Sequence, residues 1–212
     1  MLAGPLVFVD VDTQRDFLEP SGALFVPGSD AILDNLGRLT RFALSHGIPI
    51  LATACSHEPD DPEIDDFGPH CMAGTPGQSR VAATSVPGGR LLGPDGRFDG
   101  PLPAHLTLEK REYDVFSHPE AGRVVDLYNQ GWPTFVVYGV ATDYCVKAAV
   151  LGLLDRGCKA AVVVDAVRAI DFETEADVFA EFLRRGALLT LTDVVCDDAT
   201  GATEPSTPTY AR

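Results

Sequence analysis

The feature that most constrains this chain is the repeated alternation of short, apolar, β-branched runs with stretches of helical period. Runs at residues 5–11, 48–53, 105–108, 134–138, 160–164 and 187–191 read as strands. Between them, apolar residues recur three and four apart over 29–47, 121–129, 143–156 and 173–185, each stretch closing at or near a glycine. Strands joined this way require right-handed crossovers and not hairpins. The expected architecture is therefore α/β, a three-layer doubly wound, mostly parallel sheet of about six strands. In such sheets ligands bind outside the carboxyl ends of the strands.

One strand exit carries chemistry of its own. Residues 134–138 form an uncharged run, Gly139 permits a sharp turn, and from Asp143 the period becomes helical. Thr142 is the expected N-cap, with Asp143 favoured in the first turn by the helix dipole. Cys145 then falls in the first turn of a helix, where unpaired amides can hold an anion and a thiol can ionise near neutral pH. A small buried residue packing the helix onto the sheet is the alternative.

The whole composition bounds the rest. The 212 residues carry a net charge of −15 and 45% hydrophobic side chains, enough for one domain over residues 1–196 with a sizeable core. Such an acidic surface disfavours nucleic acid and anionic membranes as partners. The apolar start at residues 6–9 runs straight into Asp10 and Asp12, unlike a signal peptide, and no stretch approaches a membrane span. Five cysteines fit no staple pattern, so reduced thiols and a cytoplasmic location are expected. Residues 55–104 show little periodicity and much Pro, Gly and Asp, the mark of a lid or binding loop. Residues 197–212 read as a polar tail.

Asp12, Cys55, His57, Lys110 and Cys145 all fall at or just beyond strand C-termini. Asp12 can take the Cys145 proton and later hand it to a leaving amine, and Lys110 can hold both groups in their charged forms. Taken singly, Asp12 is also a turn-capping residue and Lys110 an ordinary surface lysine. Asp10 is the weaker base, because it shares a side with Asp12 only if the strand stays regular.

Asp12, Lys110 and Cys145 lie in segments that resemble the nicotinamidase and pyrazinamidase branch of the isochorismatase-like cysteine hydrolases: VDVDTQRDF, HCMAGTPG, KREYDVFS, GVATDYCV with KAAVLGLLDRG after it, and VVVDAVRAID. The matches keep the family's order to about Val195, and GVATDYCV is the most specific. The resemblance implies a catalytic triad of Cys145, Asp12 and Lys110, a cis peptide between Val140 and Ala141, and an oxyanion hole from the amides of Ala141 and Cys145. It implies Phe17, Phe67 and Val140 around a flat substrate, with Phe67 standing where a Trp is usual. The implied reaction is hydrolysis of a small carboxamide through a thioester, with nicotinamide as leading substrate and a homo-oligomer as the usual assembly.

The metal site departs from the pattern. The family's Asp-x-His becomes Cys55-Ser56-His57, His70 matches the later ligand, and a histidine usual between them is absent, with Asp60, Asp61 and Glu63 nearby. Cys55, His57 and His70 suit a divalent ion, zinc first. Otherwise the site has lapsed and the two histidines hydrogen-bond within the loop. The departure leaves room for another small amide, carbamoyl or ureido substrate, or for a non-catalytic binding relative.

Overall fold

The computed structural model describes Leu2 and residues 4–197. Seven strands form one wholly parallel sheet: β1 (Leu6–Val11), β2 (Ile50–Cys55), β3 (Arg90–Leu92), β4 (His105–Lys110), β5 (Thr134–Val140), β6 (Lys159–Arg168) and β7 (Leu188–Thr190), in the order β3-β4-β2-β1-β5-β6-β7. The helices are α1 (Arg15–Leu18), α2 (Leu33–Ser45), α3 (Pro62–Phe67), α4 (Ala121–Tyr128), α5 (Lys147–Asp155), α6 (Glu175–Arg184) and α7 (Thr192–Asp197).

Strand alternation explains the three layers. Val7, Val9 and Val11 of β1 point into one core with Val124 of α4, Val150 of α5 and Phe182 of α6. Phe8, between them, points into the other with Leu36 and Leu39 of α2 and Val195 of α7. Every residue of β2 and β5 is buried, as expected of strands covered on both faces.

The chain runs from β1 outward through β2 to β4, then returns past β1 to lay down β5 on its other side. The order therefore reverses at β1, and the carboxyl ends of β1, β2, β4 and β5 converge there. The six expected strands are all present. The seventh, β3, lies inside the 55–104 region, which also holds α3 and short helical turns. At the start of α2, Ser29 does not cap the helix: its hydroxyl donates to the Phe17 carbonyl at 2.9 Å, and a 3₁₀ turn over Ser29–Ile32 precedes the helix. The expected tail beyond Asp197 lies outside the described residues.

Candidate active site

Asp12 directly follows β1 with φ at 48°, a left-handed conformation that Asp tolerates better than most residues. Its Oδ1 accepts from the Thr53 hydroxyl at 2.6 Å, and that hydroxyl oxygen accepts from the Asp12 amide at 3.2 Å. This local clamp leaves Oδ2 facing Lys110, the last residue of β4, whose Nζ lies 2.9 Å away with both side chains fully buried. The same ammonium lies 3.1 Å from Cys55 Sγ and 3.7 Å from Cys145 Sγ. Burial alone would lower the Lys110 pKa; the Asp12 carboxylate and the two sulfurs outweigh it and drive it well up. Asp10 instead pairs with Arg80 and accepts from Thr13, inside the layer on the α2 side.

Cys145 sits in a π-helical turn, Thr142–Val146, that precedes α5. The turn corrects three expectations. Thr142 makes no cap and donates to Glu175 at 3.2 Å. Asp143 accepts from the amides of Ile170 and Asp171, each at 3.0 Å, so it fastens the loop after β6. The Cys145 thiol is not lowered toward neutral pH. The adjoining Cys55 thiol, burial and the Asp12 carboxylate push it well up against the opposing pull of Lys110. The peptide between Val140 and Ala141 is cis.

Cys145 opens onto a pocket walled by Phe17, Phe67, Tyr113 and Tyr144, with Ala141 and His70 also on its surface. Phe67 meets Tyr144 edge to face at 5.1 Å between centroids, and Phe17 tilts against His70 at 5.5 Å. Val140 is fully buried in the α2-side core.

Beside Asp12, Lys110 and Cys145, Cys55 Sγ and a ring nitrogen each of His57 and His70 lie within 4.8 Å of one another, all three side chains buried. His70 Nδ1 bonds the Gly68 carbonyl at 2.8 Å, so its other nitrogen is left to face the group. His57 Nδ1 faces Asp61 at 3.3 Å, while its Nε2 is buried with no hydrogen-bond partner. Burial, then His70 and Lys110, lower His57 to about 4, which favours a neutral ring near pH 7. An orphaned imidazole nitrogen inside a thiol–imidazole set fits a divalent ion of zinc's type. Glu63 Oε2, 3.7 Å from that nitrogen, adds an oxygen donor. Asp12, Cys55 and Cys145 form a second close group. The cation already there is the Lys110 ammonium.

Residues 6–194 match the family model described as the Isochorismatase domain. The chain belongs to the isochorismatase family. The nicotinamidase of Escherichia coli K12 is 27% identical over 217 aligned positions, spanning 89% of this chain and 96% of that one. The zinc complex of the Pyrococcus horikoshii pyrazinamidase superposes with a TM-score of 0.73 at 27% identity, covering 89% of this chain and 99% of the other. The N-carbamoylsarcosine amidase of Thermoplasma acidophilum gives 0.71 at 26% identity, covering 90% and 98%. The nicotinamidase-branch resemblance of this isochorismatase-family chain is thus borne out.

Three residues of the site had no separate signal in the sequence of this family member. Thr53 clamps Asp12 as described. Gln14 embraces the backbone of Cys55, accepting from its amide at 2.7 Å and donating to its carbonyl at 2.8 Å. Glu63 was visible only as one acid among several; its raised pKa follows from burial in the pocket wall.

Proposed function

We propose that this protein is a cysteine amidohydrolase that cleaves a small primary carboxamide, with nicotinamide the leading substrate. The observation that carries this reading is the buried Lys110 ammonium holding Asp12 and Cys145 together at the pocket floor. In this reading the Cys145 thiol attacks the amide carbonyl as Asp12 takes its proton. The amides of Ala141 and Cys145 receive the developing oxyanion. Asp12 returns the proton to the departing nitrogen, ammonia leaves, and a water activated by Asp12 then hydrolyses the thioester. Lys110 stays paired with Asp12 between these steps.

Phe17, Phe67 and Tyr144 suit a flat ring, and the relatives named nicotinamidase and pyrazinamidase support one. Cys55, His57 and His70, with Glu63 beside them, would hold zinc. Bound there, it would supply a Lewis acid that orients a ring heteroatom. A carbamoyl substrate is the second reading, favoured by the N-carbamoylsarcosine amidase likeness and by the exchange of the usual Asp for Cys55.

The test is ammonia release from nicotinamide, pyrazinamide and a panel of small amides and carbamoyl compounds. Release from nicotinamide is expected to be lost in Cys145→Ala and in Asp12→Asn. Turnover surviving Cys145→Ala removes the mechanism, and no release from any compound removes the enzyme reading.

A further inference from the structure

We propose that Cys55 and Cys145 are an oxidation-sensitive thiol pair, which a peroxide converts into an intramolecular disulfide across the reaction centre. The two sulfurs lie within 4.8 Å of each other and share one neighbour, the Lys110 ammonium, at 3.1 and 3.7 Å. Both residues line the same pocket, so an oxidant as small as hydrogen peroxide reaches them by the route a substrate would take. Neither sulfur is held in a disulfide, for all five cysteines are free. Cys158 lies in the core on the α4 side and Cys196 on α7, away from the pocket wall.

The chemistry balances. The peroxide O–O bond breaks, one oxygen passes to the Cys145 sulfur as a sulfenic acid, and the other leaves as water. The Cys55 thiol then attacks that sulfur, the S–S bond forms and a second water departs. Two thiols have lost two hydrogens and two electrons to one peroxide. Lys110 places its positive charge beside both sulfurs. A dithiol reductant reverses the change. On the reading of Cys145 as nucleophile, the linked form is inactive, and it has also lost one of the candidate zinc ligands. The pair depends on cysteine at position 55, which the family pattern fills with aspartate.

The experiment treats the full chain, freed of metal by chelator, with hydrogen peroxide, and maps it without reduction. A protease cutting at acidic residues separates Cys55 from Cys71, since Asp60, Asp61, Glu63, Asp65 and Asp66 lie between them. The expected result is a loss of two hydrogens in intact mass and one linked pair, Cys55 with Cys145, both recovered as free thiols by dithiothreitol. In Cys55→Ser the same treatment is expected to carry Cys145 to sulfinic or sulfonic acid, which dithiothreitol does not restore. A Cys145 linked to Cys71, left unlinked, or over-oxidised in the unaltered chain overturns the proposal. The linkage is read by mass whether or not any amide is turned over, so its failure is distinct from failure of the amidase reading.

Discussion

At Lys110 one fully buried ammonium serves a carboxylate and two sulfurs. Removing it strands the Asp12 charge in the interior, the costly way to break a buried pair. Lys110→Met is expected to lose about 3–5 kcal/mol of stability, measured by denaturant unfolding. Adding Asp12→Asn should recover most of that loss, and a double variant as unstable as the single one would show that the charge is not the cause. His57 makes stability depend on pH. Its folded pKa of about 4 lies below the ordinary 6.5, so the unfolded chain binds more protons in between. Its contribution is complete above 6.5 and is lost as pH falls toward 4. Metal-free protein should therefore melt at lower temperature across that window, and less steeply in His57→Asn. Asp12, Lys110 and Cys145 were legible because strand ends locate them. The Cys145 ionisation was not, because it depends on the dielectric and on a neighbouring sulfur that sequence does not place.

The strand-to-helix joint at 139–147 shows what periodicity misses at the scale of elements. One π turn precedes α5, and it leaves the apolar spacing of α5 readable as an ordinary helix. β3, three residues long, and α3, six residues long, lie below the length at which a period can be recognised. Gly139 was read as a bend, and the structure gives the stricter reason. Its φ is 118°, and any Cβ there would collide with the Val11 backbone on β1. β5 also shifts register against β6 between Val137 and Gly139, so the glycine sets how the end of β5 approaches Asp12. Gly139→Ala is expected to cost about 2–5 kcal/mol from backbone strain and overpacking combined. Gly157→Ala, also at positive φ but in open space, should cost only about 1–2 kcal/mol. Equal melting temperatures for the two variants would remove the argument from close approach.

Across the whole molecule the fold follows from two facts visible in the sequence, strand runs buried on both faces and helical crossovers between them. The strand order was not visible, because nothing local says that the chain reverses at β1. That reversal gathers residues 12, 55, 110 and 145 from four strand ends, with β1 and β2 core residues filling both layers beneath them. The charge of the chain belongs to this scale as well. A net −15 on 212 residues is a self-repulsion spread over the surface, whereas the Asp12–Lys110 pair is buried and scarcely screened. Several surface ion pairs, such as Arg38 with Asp193 and Arg185 with Asp155, oppose the repulsion, but exposed pairs contribute little each. Raising sodium chloride from 0.01 to 0.2 M shortens the screening length from about 30 Å to under 10 Å, which weakens repulsion between distant carboxylates more than attraction within close pairs. The melting temperature is therefore expected to rise by about 2–4 °C, the shift that roughly 1 kcal/mol gives a chain of this size. A fall over the same range, in calorimetry at constant pH, would mean that paired surface charges outweigh the net negative field.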